Sequence, residues 1–161
     1  MKKVIIIGCP GSGKSTLARD LHQKTKIALY HLDMMYWNAD KTFVDKSVFL
    51  ERLSAAMENG EWIIDGNFAS TMEMRMSACD TVIFLDYPKE VCLQGVRERQ
   101  GKARPDMPWV ETQEDAEFMS FIEGFNAQQR PYILELIDKY SDKSIITLKS
   151  REEAREFILS I

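Results

Sequence analysis

Lys3-Val4-Ile5-Ile6-Ile7-Gly8-Cys9-Pro10-Gly11-Ser12-Gly13-Lys14-Ser15-Thr16 is the stretch that decides the fold. Its first residues form a short apolar run of the kind that makes a strand buried on both faces. Gly8 to Ser15 then matches the pattern GxxxxGK[ST], and a helical segment containing Leu17 and Leu21 follows directly. The glycines let the backbone turn with positive φ and aim successive N–H groups at one point, where the start of the next helix adds partial positive charge. A strand, an amide cradle and a helix in that order suit a polyphosphate. The expected ligand is therefore ATP with Mg2+, cradled by Gly8, Pro10, Gly11, Ser12, Gly13 and Thr16, with Lys14 on the β and γ phosphates and the Ser15 hydroxyl on the metal.

Outward from this loop, short apolar runs alternate with longer stretches of helical period, the pattern of an α/β domain with a parallel sheet covered on both faces. Strands are expected at Lys3 to Ile7, Ile27 to Leu32, Glu61 to Ile64, Thr81 to Leu85 and Ser144 to Leu148. Phe49, Leu53, Ala56 and Met57 form an apolar stripe after Asp45, and Phe118, Phe121, Ile122 and Phe125 form another with a start near Thr112 and Asp115. Pro131 should break that second helix, with Ile133, Leu136, Ile137 and Tyr140 resuming the stripe. A capping box from Ser150 to Glu153 opens a last helix expected to bury Ala154, Phe157, Ile158 and Ile161. With 161 residues, 45% of them hydrophobic, the chain reads as one domain, residues 1–161. Its least regular segment, Gly101 to Glu111, is the natural place for a functional loop.

Composition removes several function classes. The formal charge is -4 with a pI near 5.3 and no massed basic tract, so extended DNA binding is not expected. Cys9, Cys79 and Cys92 are widely spaced and read as free thiols in a reducing, cytoplasmic setting rather than as a zinc site. The apolar run after Met1-Lys2-Lys3 is too short for an export signal, and nowhere do about 18 consecutive apolar residues occur. A monomer or weak dimer is expected.

In an open α/β sheet, ligands gather at the carboxyl ends of the strands. Asp33 and Asp65 each follow an apolar strand, so Asp65 is expected to hold a magnesium-bound water or orient the acceptor, and Asp33 to take a proton from a substrate hydroxyl or bind magnesium through water. Asp86, before Tyr87-Pro88, reads instead as a turn or cap residue, and His31 is assigned no chemistry. Phosphoryl transfer spreads negative charge that arginine forks stabilise well, which draws attention to Arg97, Arg99, Arg104 and Arg130 around the irregular segment.

Taken together, Gly8 to Thr16, Tyr30-His31-Leu32-Asp33 with Trp37, Trp62 to Asn67, Arg75, Thr81 to Asp86, Arg104-Pro105-Asp106-Met107 and Arg130 resemble the P-loop kinases similar to adenylate kinase. The likeness is nearest to the small bacterial proteins labelled adenylate kinase-like or DNA topology-modulation proteins. It implies a five-stranded parallel sheet in the order 2-3-1-4-5, an acceptor-binding region at about 34–59 and a short lid at about 101–111. It also implies catalytic roles for Lys14, Asp33, Asp65, Arg97 and Arg130, and adenine near Arg99 and Lys149-Ser150-Arg151. Asp33, Trp37, Gly66, Asn67, Arg75 and Arg104 fall at acceptor positions. Where adenylate kinases read Asp-Gly-Phe-Pro-Arg, this chain reads Asp65-Gly66-Asn67-Phe68-Ala69, which makes AMP a doubtful acceptor and leaves Arg75 as a substitute cation. Tyr36 and Trp37 would stack on a base, line an apolar pocket or pack in the core. The expected activity is transfer of the γ-phosphoryl group of Mg-ATP to a small-molecule or nucleotide acceptor. The alternative is a nucleotide-dependent regulator associated with DNA topology, while a GTP switch lacks an Asn-Lys-x-Asp motif.

Overall fold

The computed structural model describes residues 1–161. The apolar run of the opening segment becomes β1 (Lys3–Gly8), whose last five residues are buried because helices cover both of its faces. The chain then turns into α1 (Lys14–Thr25), returns as β2 (Leu29–His31), and makes a short helix α2 (Leu32–Tyr36) before α3 (Lys46–Met57). Next come β3 (Trp62–Asp65), α4 (Ala69–Ala78), β4 (Thr81–Leu85) and α5 (Lys89–Arg99). After the irregular segment come α6 (Ala116–Gln128), α7 (Arg130–Lys139), β5 (Ser144–Leu148) and α8 (Arg151–Leu159).

All five strands are parallel and stand in the order β2-β3-β1-β4-β5. This is the expected order, and it puts the P-loop strand at the centre. The register is what matters for the site: Ile6 of β1 lies opposite Asp65 of β3, and Asp65 lies opposite His31 of β2. Three strand ends therefore deliver their residues to one edge of the sheet, beside the start of α1.

The structure departs from expectation mostly at the sheet's edges. β2 is three residues long, not six, because Lys26 sits in the left-handed region and Leu32 already begins α2. β5 has no partner on its outer side, so Ser144 and Thr147 are exposed while Leu148 alone is fully buried. α8 likewise buries none of its residues completely, and Ile161 lies past its end, 38% exposed. Its cap is real but not reciprocal: Ser150 Oγ accepts from the Glu153 amide at 3.1 Å, whereas the Glu153 carboxylate takes the Lys149 amide at 2.7 Å. α6 is capped by Asp115 alone, which accepts from the amides of Glu117 and Phe118, and Thr112 plays no part. The break before Pro131 falls at Gln129, and Pro88 caps α5.

Candidate active site

The turn between β1 and α1 is held open by contacts from two sides. Gly11 and Gly13 have φ of 82° and 96°, which side-chain-bearing residues avoid. A Cβ on Gly11 would lie 2.1 Å from the Cys92 carbonyl oxygen, and one on Gly95 would lie 2.0 Å from the Gly11 carbonyl oxygen. The loop and α5 thus meet backbone to backbone. From the other side, the Asn67 side chain brackets Gly8, its amide donating to the Gly8 carbonyl at 2.6 Å and its oxygen accepting from the Gly8 N–H at 3.1 Å.

Within this frame the Ser12 amide donates to the Cys9 carbonyl and the Leu17 amide to Gly13. The amides of Gly11, Gly13, Lys14, Ser15 and Thr16 donate to no protein acceptor. These are the groups a polyphosphate would take up, at the positive end of a 12-residue helix. The Lys14 ammonium lies over the same turn, donating to the carbonyls of Gly8 and Cys9 at 2.9 and 3.1 Å. Burial lowers its pKa below the ordinary lysine value, against the opposing pull of Asp65 and Asp33. Ser12 Oγ is buried without a hydrogen-bond partner. Cys9, buried in the loop, is far less acidic than an ordinary thiol because of its contact with Cys92 and its burial.

Asp33, in the first turn of α2, and Asp65, at the end of β3, both line the cleft above this turn. Burial pushes the Asp33 carboxyl up to about 6, with Lys14 pulling it down and Asp65 and Asp106 adding to the rise. Asp65 is held by His31, whose Nδ1 lies 2.7 Å from Oδ1. His31, given no role from sequence alone, therefore orients a carboxylate that lines the cleft. Its signal was the strand register, which no local pattern displays.

The arginines divide sharply. Arg104 pairs with Asp106 at 3.1 Å and with Glu111 at 3.4 Å, Arg99 pairs with Glu111 at 3.1 Å, and Arg19 pairs with Asp106 at 3.4 Å. All three line the cleft. The Gly101 amide donates to the Glu111 carbonyl at 2.6 Å, which closes the base of the 101–111 loop. Arg97 and Arg130, expected at the transferring phosphoryl group, do not line the cleft. Arg97 points to solvent against Glu114, and Arg130 forks onto Asp86 with bonds of 2.8 and 2.9 Å. Asp86 is thus one half of an ion pair rather than a helix cap.

Arg75 is a further correction. Its side chain is fully buried, and its guanidinium donates to the carbonyls of Gly66, Asn67 and Phe68 and to Thr71 Oγ1. It cannot replace a phosphate-gripping cation, because its donors are spent on the loop that carries Asn67. That loop needs holding: Phe68 has φ of 38°, a left-handed conformation costly for a residue with a side chain.

Of the expected acceptor region, Trp37 and Lys41 reach the cleft and α3 contributes nothing to its lining. Arg52 of α3 donates instead to the Met35 carbonyl at 2.8 Å. Trp37 meets Trp109 of the 101–111 loop edge to face, with ring centroids 4.9 Å apart. Tyr36 packs into an aromatic group with Phe43, Phe49 and Phe68. At the other end the cleft is walled by Arg99, Arg151, Ala154 and Ile158, so α8 supplies more of that wall than Lys149 or Ser150, which do not line it. The whole cleft is about 1330 Å3 and runs from α8 to Trp37.

The donor set fits Mg2+ held together with substrate phosphates. Ser15 Oγ makes no hydrogen bond to the protein and shares the cleft with Asp33 and Asp65. No three His, Cys, Asp or Glu side chains form a closed cage. Mg2+ keeps waters and substrate oxygens in its shell and does not require one. No helix is long and apolar enough to cross a membrane.

Compared with known proteins, no curated protein matches the sequence. Among solved structures the chain is similar to shikimate kinase from Bacteroides thetaiotaomicron, at 19% identity and a TM-score of 0.62, over 98% of this chain and 94% of that one. It is also similar to shikimate kinase from Acinetobacter baumannii in complex with shikimate, at 15% identity and a TM-score of 0.66, over 99% and 90% of the two chains. The enzyme from Aquifex aeolicus matches at 20% identity and 0.58, over 98% and 94%. These likenesses carry the fold, which is that of P-loop kinases. Residues 4–120 match the family model described as AAA domain, and the chain belongs to that family.

Proposed function

We propose that this protein transfers the γ-phosphoryl group of ATP to the hydroxyl of a small-molecule or nucleotide acceptor. The observation that carries the reading is the set of five undonated amides from Gly11 to Thr16, facing the same cleft as Lys14, Asp33 and Asp65. Lys14 would leave its loop carbonyls for the phosphates. Arg99 and Arg104, bridged by Glu111, supply charge from the lid side, in place of Arg97 and Arg130. Ser15 and, through water, Asp65 would hold Mg2+, which when bound neutralises phosphate charge. Asp33 accepts the acceptor's proton, and burial gives it the proton affinity that general-base work requires. Residues 34–41 and the 101–111 loop form the acceptor side and the lid of a single domain. The finer likeness to adenylate kinase-like, topology-modulation proteins rests on the order of the sequence motifs.

The test is ADP formation with magnesium and a broad panel of hydroxyl acceptors, beside Lys14→Ala. Acceptor-dependent turnover that Lys14→Ala removes, with the fold retained, is the expected result. Calorimetry showing no ATP binding by the native protein would overturn the proposal.

A further inference from the structure

The acceptor end of the cleft is rich in carboxylates and aromatic faces and poor in available cations. Asp33, Asp65 and Asp106 all line it. Outside α8, each guanidinium lining the cleft, at either end, already has a carboxylate: Arg19 and Arg104 share Asp106, and Arg99 takes Glu111. Asp106 is 3% exposed, so drawing Arg104 away to an incoming anion would leave a buried charge undercompensated. Arg75 is sealed beneath the loop, and α3 brings no cation into the cleft. Lys41 and Lys102 are exposed and strongly hydrated ammoniums. An anionic acceptor would meet Asp33 and Asp65 with no free fork to grip it.

The same region offers flat apolar surface. Trp37 and Trp109 both line the cleft, meet edge to face at 4.9 Å between centroids, and are both half-buried. Phe68 lines the main cleft and also a smaller apolar cavity of about 240 Å3 shared with Phe121 and Met72. We propose that the acceptor is a neutral, ring-bearing alcohol, with a nucleoside as the type, held by Trp37, Trp109 and Phe68 with its hydroxyl on Asp33. This rests on the phosphotransferase reading above. The acceptor oxygen bonds to the γ-phosphorus as the bond to the β,γ-bridging oxygen breaks. That electron pair leaves with ADP, and the hydroxyl proton passes to Asp33 and then to solvent.

The probes are adenosine, guanosine, cytidine, uridine and thymidine, set against their 5′-monophosphates and shikimate. Binding is read from tryptophan emission with magnesium and a non-hydrolysable ATP analogue, Trp62 being fully buried and a constant background. Turnover is read as ADP formation. At least one nucleoside should quench emission and turn over at least about tenfold more efficiently than its monophosphate or shikimate. Trp37→Ala should then raise its KM about ten- to a hundredfold at unchanged ATP affinity, the ATP measurement reporting that the fold is intact. Preference for an anionic probe, or ATP binding with no nucleoside bound, would overturn this inference and leave the phosphotransferase reading standing. Failure to bind ATP would overturn both.

Discussion

Gly95→Ala places a methyl group 2.0 Å from the Gly11 carbonyl oxygen, where ordinary contacts begin at 3.4 Å. Either the loop or α5 must move by roughly 1 Å or more. Two effects oppose each other. Alanine in a helix interior is favoured over glycine by about 1 kcal/mol, whereas forcing a methylene into a packed contact costs about 1 to 3 kcal/mol. Here the obstruction is backbone on both sides, since Gly11 in turn abuts the Cys92 carbonyl, so no side chain can swing away. The steric term wins, at the upper end of its range, and the net loss of stability is about 1 to 2 kcal/mol. Displacing the cradle should also weaken ATP binding about tenfold or more, equivalent to about 1.4 kcal/mol. Gly124→Ala in α6 is the control, because its Cβ would meet only the end of the Gln128 side chain at 3.4 Å or more. Urea denaturation and ATP calorimetry on both variants decide the matter. A Gly95→Ala protein as stable as native, with unchanged ATP affinity, would refute the claim that α5 shapes the loop.

Three further outcomes follow from charge and burial. The folded-state pKa of Asp33 is raised to about 6 by burial, so its ionisation works against the fold: its contribution falls as pH rises from its ordinary value near 3.8 through about 6. Asp33→Asn should therefore raise the Tm at pH 7 while removing turnover, and native turnover should fall as pH drops through about 6; native-like turnover in the variant, or native turnover that is flat across that range, would refute the assignment. Arg130→Ala should cost about 1 kcal/mol or less in denaturation, since the fork onto Asp86 is partly exposed and Asp86 keeps Lys149 at 3.5 Å, and leave ATP affinity within about twofold; a large loss of turnover at native stability would return Arg130 to the site. Arg75→Ala should destabilise by about 3 kcal/mol or more, since three loop carbonyls lose their donor in a buried place, and thermal melting would show a change under 1 kcal/mol if that reasoning failed.

The sequence was most legible where chemistry depends on neighbours along the chain. The P-loop, the apolar strands and the break at Gln129 before Pro131 all follow from contiguous residues, because turn geometry and proline sterics act over a few positions. The short helix α2 was missed because five residues carry no readable period, and α4 because Arg75, Met72 and Met76 give a mixed stripe. Errors about arginine had one cause: charge type and chain position show that a cation is present, not which carboxylate already holds it.

The order Lys3 to Thr16 alone determined an anion-binding turn between a buried strand and a helix, since φ freedom and amide spacing are local properties. Only the tertiary structure decided that His31 orients Asp65, that Gly95 abuts Gly11, that Arg75 serves the backbone, and that Arg104 rather than Arg130 reaches the cleft. Those facts depend on strand register and on helix packing across long sequence separations, where burial and pairing, not residue type, set each side chain's role.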